Sequence, residues 1–165
     1  MEAMVDTIIC ALEAPQVDAW HEALLDAAFL FEKASLPRGE CTVEEFAARM
    51  GWPSSVVHAV VGYHEVDRLK TALVRFIERH PDGPHAVSAI WALGKVIGDR
   101  TLLPIFIRML RCSHERNPEL VYQILIALRN LGEEVFPSPG GASFLDVDRN
   151  RDLARDYLRR LDIPE

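Results

Sequence analysis

The sequence ends two apolar stretches in nearly the same way. Ala92 and Leu93 close one stretch, and a glycine and an acidic residue follow. The same order of residue types returns from Ala127, at an offset of 35 along the chain. A helix ending that occurs twice at this distance predicts a repeated structural unit, because self-similarity at a period of roughly 20–50 residues is the signature of repeat architectures.

The beginnings of the neighbouring helices repeat as well. Pro84 and Pro118 align at an offset of 34, and each suits the first position of a helix, where the missing N–H costs nothing. The preceding apolar segments, 71–79 and 104–112, align at an offset of 33. These periods predict stacked helical hairpins over 65–132, since one hairpin cannot bury its apolar face alone.

The stretch 98–132 resembles the short bacterial type of HEAT repeat, which is also called phycobilisome-lyase-like. The pattern of that family runs from Gly-Asp through Leu-Pro and Asn-Pro-Glu to Ala-Leu and a final glycine. The matching residues are Gly98, Asp99, Leu103, Pro104, Asn117, Pro118, Glu119, Ala127, Leu128 and Gly132. The resemblance extends over about 84–132, and it implies an α-solenoid that most often binds another protein.

The rest of the chain also has helical periodicity, and no alternating β-branched run indicates a strand. We therefore expect one all-α domain: a solenoid-like stack of HEAT-type hairpins with N-terminal helices and a C-terminal capping helix. Its predicted parts are acidic N-terminal helices (1–64), two HEAT-like repeats (65–132), a loop (133–147) and the capping helix (148–165). Asp148 or Asn150 is expected to begin that last helix.

The net charge of −7 lies entirely in the N-terminal part. Residues 1–64 carry ten acidic and three basic side chains, whereas residues 65–165 carry fifteen of each. Such asymmetry is typical of an interaction surface, and its sign repels nucleic acid and anionic membranes. The same excess of acidic residues also serves solubility.

An acidic stripe and a set of aromatic and polar residues are the candidate contacts for a partner. Asp18, Glu22 and Asp26 follow at i, i+4 and i+8, on the face opposite Val17, Trp20, Leu24 and Phe31. The predicted core face of the next segment is Ala86, Ile90, Leu93 and Ile97, which turns Val87, Trp91 and Lys95 the other way. Tyr122, Ile126, Arg129 and Asn130 occupy similar places in the following repeat. The expected partner is a protein with a basic surface, bound by Asp18, Glu22, Asp26, Trp91, Lys95, Tyr122, Arg129 and Asn130.

Residues 42–63 offer an alternative, a DNA-binding helix-turn-helix. Ala47, Gly51 and Val57 have the spacing of that motif, and Ser54, Ser55 and His58 lie where the recognition helix would be. Between 39 and 67 the only base is Arg49, although DNA binding depends on neutralising phosphates. The charge of this segment therefore disfavours nucleic acid as a partner.

No catalytic or metal-binding constellation is recognisable in the sequence. The segment 146–152 has the oxygen spacing of a calcium loop but lacks the glycine and the glutamate that complete such a loop. We expect a non-enzymatic protein-binding module without a cofactor, such as an immunity or inhibitor protein that neutralises a nuclease toxin. A lyase- or chaperone-like protein that holds a small ligand in the groove of the solenoid is the remaining alternative.

The cysteines and the first residues of the sequence indicate in which cellular compartment the protein is expected. Cys10, Cys41 and Cys112 are odd in number and widely spaced, which favours a reducing environment. The first residues are acidic, where a signal peptide would be basic, and no apolar run is long enough to span a membrane. These features predict a cytoplasmic protein.

Overall fold

The computed structural model describes residues 4–36, 42–136 and 141–162, and within these ranges the chain is helical and contains no strand. The all-α prediction is confirmed. Cys41, part of the predicted loop and the last three residues of the predicted capping helix lie outside the described residues. The helices are α1 (Met4–Glu13), α2 (Val17–Ala34), α3 (Val43–Met50), α4 (Ser54–His58), α5 (Tyr63–Arg79), α6 (Pro84–Leu93), α7 (Leu103–Ser113, after a 3-10 turn at Arg100–Leu102), α8 (Pro118–Asn130) and α9 (Val147–Leu161).

The helices pair in chain order, and the pairs lie side by side. Helix α1 packs on α2, α5 on α6, and α7 on α8. The second helices form a row in which α2 contacts α6 and α6 contacts α8. In the other row α1 contacts α5, and α5 is joined to α7 by the ion pair of Glu78 with Arg108 at 2.7 Å. The pair α1–α2, which the sequence predicts only as part of an acidic N-terminal region, thus occupies the place of a further hairpin beside α5–α6.

Neighbouring helices of one row run in the same direction. Trp20, near the start of α2, lies against His85 at the start of α6, with 5.4 Å between ring centroids. At the other ends, Glu32 of α2 accepts from Lys95, just after α6, at 2.9 Å. A chain that returns after each hairpin places every second helix parallel to the preceding one.

Helix α8 illustrates why the sequence forms these elements. Pro118 stands at its first turn, and the side chain of Asn117 caps it by accepting from the N–H of Leu120 at 3.0 Å. Its apolar residues recur every three or four positions and face α6, α7 and α9. The buried set is Leu120, Val121, Ile124, Leu125, Ala127 and Leu128. Each fully buried leucine or isoleucine contributes about 1.5–3 kcal/mol.

The repeated glycine has a backbone role at two positions. Gly98 and Gly132 have φ of 76° and 87°, a left-handed conformation that favours glycine, and they lie one repeat length apart. Gly94, which directly follows Ala92 and Leu93, has φ of −63° instead. The equivalent of Gly132 is therefore Gly98, and Gly94 serves packing, because a Cβ there would lie 3.2 Å from that of Ala127.

The acidic residue after each left-handed glycine joins neighbouring elements. Asp99 accepts from Lys70 of α5 at 2.7 Å and from the N–H of Thr101 at 3.0 Å. Glu133 accepts from Arg100 at 2.5 Å and from the hydroxyl of Tyr157 in α9 at 2.7 Å. The repeated Gly-acid ending thus turns the chain and fixes the next element.

Helices α3 and α4 form an insertion between the first two hairpins. Thr42 and Glu45 form a capping box at the start of α3, and Gly51 ends α3 in the left-handed conformation with φ of 70°. Lys33 of α2 donates to the carbonyls of Val56, Val57 and Ala59, at 2.6 to 3.0 Å. One ammonium group thus satisfies the open carbonyls at the end of α4.

Several finer predictions are wrong. Val17 is half exposed instead of lying on the inner face, and Val87 is buried instead of facing outward. Ile97 is 67% exposed, because α6 ends at Leu93 and the helical spacing no longer applies beyond it. Asp146, which accepts from the N–H of Arg149 at 3.1 Å, caps α9 in place of Asp148 or Asn150.

Candidate partner-binding surface

The acidic stripe occupies the outer face of α2. Asp18 and Glu22 are exposed and Asp26 is half buried, while Trp20, Leu24 and Phe31 are buried on the opposite face. Within the described ranges, no basic side chain lies within 4.0 Å of the three carboxylates, so none is in an ion pair. Asp18 is in the first turn of α2, where the helix dipole stabilises a negative charge.

Asp26 is held in an unfavourable electrostatic environment. Its partial burial raises the pKa of the Asp26 carboxyl above the ordinary value, and the negative charge of Glu22 raises it further. The two carboxylates are one helical turn apart, where like charges repel by about 0.2–0.5 kcal/mol. A cation placed beside this stripe would offset the repulsion between the two carboxylates.

Trp91 and Lys95 lie together beside the end of α2. The ammonium group of Lys95 lies 5.1 Å from the centroid of the Trp91 ring and 2.9 Å from a carboxylate oxygen of Glu32. The hydroxyl of Ser35 also donates to the carbonyl of Lys95 at 3.1 Å. Lys95 therefore joins α2 to the end of α6 and holds the half-buried Trp91 in place, so its charge is already paired within the chain.

The residues predicted on α8 divide into two kinds. Tyr122 is half buried, and Arg129 is exposed with its guanidinium 5.7 Å from the ring centroid of Phe136. Asn130, by contrast, donates to the carbonyl of Gly94 at 2.8 Å and so connects the ends of α6 and α8. Its amide is engaged within the fold and contributes to a surface only by fixing its neighbours.

The eight predicted residues therefore belong to one row of helices, because α2, α6 and α8 are adjacent and parallel. The groups that remain available to a partner are Asp18, Glu22, Asp26, Trp91, Tyr122 and Arg129. Sequence reasoning missed Glu32, which orients Lys95, and Phe144, whose ring meets that of Tyr122 at 5.7 Å. Neither had a local signal, since both contacts join segments that are distant in the sequence.

The segment predicted as an alternative DNA-binding motif folds as α3 and α4, but α4 has only five residues. Ser54, Ser55 and His58 are exposed. The fully buried residue of this helix is Val56, whereas Val57, which has the spacing of the motif's buried position, is only half buried. Trp52 packs edge-on against Phe46 at 5.2 Å, which fixes the insertion as a small aromatic cluster.

The described residues were also compared with what a metal site, a membrane-spanning helix or a ligand groove requires. In the described part of the chain, no three His, Cys, Asp or Glu side chains are grouped so that they could hold a metal ion. Likewise, no described helix is both long and apolar enough to cross a membrane. A half-open groove of about 600 Å³ lies between the segment 134–136, which follows α8, and helix α9. Val135, Phe136, Leu153 and Arg159 are among its lining residues, and none of the lining residues belongs to the acidic stripe.

Comparison of the chain with protein-family models, with curated proteins and with solved structures finds no match. The resemblance to HEAT-type repeats therefore rests on the residues between Gly98 and Gly132 and on their spacing.

Proposed function

We propose that this chain is a protein-binding module of the α-solenoid type, without catalytic activity, and that it neutralises a partner with a basic surface. The sharpest form of the proposal is an inhibitor or immunity-type protein directed against a basic protein such as a nuclease toxin. The surface is formed by the outer faces of α2, α6 and α8.

The solenoid part of the proposal is supported by the order of helix contacts. Three hairpins in chain order, with first helices in one row and second helices in the other, have the connectivity of stacked repeats. The left-handed glycines at Gly98 and Gly132 end successive units at the spacing of the repeat. Such stacks carry extended surfaces on the row of second helices, which suits protein binding better than a closed active site.

The observation that carries the functional proposal is the unpaired acidic stripe of Asp18, Glu22 and Asp26. These three carboxylates follow one another on one face of α2 without an ion pair, whereas exposed carboxylates such as Glu78 and Asp162 are paired within the described chain. The raised pKa of Asp26 reflects an electrostatic cost of this arrangement in the free protein. A Lys or Arg of a partner would offset the repulsion between Glu22 and Asp26, and groups with perturbed pKa values cluster at functional sites.

The two parts of the surface would act at different stages of binding. Exposed carboxylates attract a basic protein over distances of about 10 Å and so raise the association rate. Trp91 is held in position by Lys95 and Glu32 and supplies a preorganised aromatic contact. Aromatic side chains of this kind dominate interface energies and act mainly on dissociation.

The proposal is tested by affinity purification of the partner and kinetic measurement with the purified complex. We expect the triple variant Asp18→Asn/Glu22→Gln/Asp26→Asn to associate about tenfold more slowly at low salt, with a weaker dependence on salt. The matched control neutralises three exposed carboxylates elsewhere, Glu13→Gln/Asp82→Asn/Glu134→Gln, and changes the net charge equally. Equal association rates for the two triple variants would show that only net charge matters and would remove the main support for the proposal.

A further inference from the structure

A tight turn before α9 presents two large apolar side chains to solvent. The N–H of Asp146 donates to the carbonyl of Ser143 at 3.1 Å and closes a turn with Phe144 and Leu145 at its centre. Phe144 is 58% exposed and Leu145 is 88% exposed. Central turn positions favour Gly, Pro, Asn, Asp and Ser, so this pair contributes little to folding where it stands. A local departure from such rules is typical of a functional site.

The turn is fixed from below by a buried polar side chain. Asn150 is 1% exposed; its Nδ2 donates to the carbonyl of Ser143 at 2.8 Å, and its Oδ1 accepts from the N–H of Ser143 at 3.3 Å. On the other side, Asp146 caps α9. Burying an asparagine is costly unless its hydrogen bonds are made, and here they are made to the residue that begins the turn. Phe144 and Leu145 therefore project from a rigid support.

The turn is continuous with the surface of α8. The ring of Phe144 meets Tyr122 edge to face, with 5.7 Å between centroids and 80° between planes. Glu119, one turn before Tyr122 on the same face of α8, is exposed. Asp148, two residues after the turn, is almost fully exposed and reaches Arg151 only at 3.5 Å. The exposed carboxylates near the apolar pair, those of Glu119, Asp146 and Asp148, thus outnumber its exposed basic neighbour, Arg149.

We propose that Phe144 and Leu145 form a knob that enters an apolar pocket of the protein partner, and that basic side chains rim this pocket. The inference rests on the proposed function, since it assigns a second contact to the same basic partner. The protruding shape requires a concave receptor. Glu119 and Asp148 favour Lys or Arg at the rim of that receptor, and they disfavour insertion into an anionic membrane.

The test places a photo-reactive phenylalanine analogue at position 144 of the full chain and, as a control, at the exposed Leu161 of α9. The protein cross-linked from position 144 is identified, purified and titrated with unmodified chain. Leu145→Ser is expected to weaken binding about thirtyfold, as truncation of a central apolar anchor does, whereas Leu161→Ser leaves it unchanged. Leu145 is nearly free of contacts, so this variant folds as the parent does; equal melting temperatures check that.

Charge reversal tests the rim. Glu119→Lys and Asp148→Lys are each expected to weaken binding several-fold at low salt and less at high salt. Stronger binding by these variants would contradict a basic rim. Cross-linking only to a second copy of the chain would overturn the proposal, because it would show self-association. Sedimentation of the chain with vesicles of phosphatidylcholine and phosphatidylglycerol would also overturn it if Leu145→Ser abolished that sedimentation, because the pair would then bind a membrane.

A partner whose affinity depends on Asp18, Glu22 and Asp26 but not on Leu145 would reject the knob and retain the proposed function. If no protein is cross-linked from position 144 and none is recovered by affinity purification, both proposals fail.

Discussion

Asn130 and Gly94 join the ends of two successive second helices through one hydrogen bond. The Nδ2 of Asn130 donates to the carbonyl of Gly94 at 2.8 Å, and the carbonyl of Asn130 accepts from the N–H of Gly98 at 3.0 Å. The side chain of Asn130 thus satisfies the carbonyl at the end of α6, and its backbone carbonyl binds the N–H of the turn at Gly98. This contact fixes the position of α8 beside α6.

Replacement of Asn130 by alanine is expected to destabilise the fold. The carbonyl of Gly94 would lose its partner in a partly buried place, which costs about 1–3 kcal/mol. Chemical denaturation of Asn130→Ala measures the change in the free energy of unfolding. Arg129→Ala, at the neighbouring exposed position, is the control and should cost only about 0.5 kcal/mol, since it loses no more than the exposed contact with Phe136.

The left-handed glycines give a second prediction. Gly132→Ala should destabilise the protein by about 1–2 kcal/mol, because φ of 87° brings a Cβ too close to its own backbone. Gly132→Asn should cost less, since asparagine tolerates this conformation. Gly141→Ala is the control, because a Cβ there meets nothing within 4 Å and its φ is not in the left-handed range. Equal melting temperatures for the Gly132 and Gly141 alanine variants would contradict the argument.

Asp26 gives a prediction in which a substitution stabilises the free protein. Folding raises the pKa of this carboxyl, so the folded state binds its proton more tightly than the unfolded state. The contribution of Asp26 to stability is therefore most favourable at acid pH and is lost as the pH rises through the raised pKa. Asp26→Asn should unfold at a higher temperature than the parent at pH 7.

The increase in melting temperature caused by Asp26→Asn should become smaller as the pH falls below the ordinary carboxyl pKa of about 4. Melting curves of the two proteins between pH 3 and pH 7 measure this dependence. A gain that is constant over this range would mean that the charge of Asp26 is not the cause. Asp18→Asn is the comparison, since Asp18 is exposed and lies at the favourable end of the helix dipole.

Lys33 gives a prediction about local stability. Its ammonium group holds the carbonyls of Val56, Val57 and Ala59, so Lys33→Met should release the end of α4. Hydrogen exchange of the amides in 54–60 is expected to become faster, while exchange in α6 and α8 stays the same. Faster exchange throughout the chain would instead show that α3–α4 unfolds together with the hairpins.

The sequence predicted the part of the fold in which local signals repeat. Pro84, Pro118 and the two left-handed glycines after them mark the hairpins α5–α6 and α7–α8, and these helices are present. Helices α1 and α2 carry no such marks, because a turn at Pro15 joins them without a left-handed glycine. Their placement beside α5 and α6 depends on distant contacts, such as Asp6 with Arg68 at 2.6 Å.

The candidate surface was predictable to a similar degree. Helical spacing was sufficient to place Asp18, Glu22 and Asp26 on one outer face, because α2 is regular throughout. It failed for Ile97, which lies beyond the end of α6. It also could not indicate that Lys95 is neutralised by Glu32, since the two residues are 63 positions apart.

The insertion α3–α4 separates two helices that nevertheless pack as neighbours. Contact of α2 with α6 closes a long loop, yet the entropy of closure grows only with the logarithm of loop length, and doubling the length costs about 0.6 kcal/mol. The length of the segment between Leu36 and Tyr63 can therefore change at little cost in closure entropy, provided that Ala47, Trp52 and Val56 keep their places in the core. The protein thus carries, beside the C-terminal half of α2, a region where new recognition elements can arise by insertion while the helical framework stays the same.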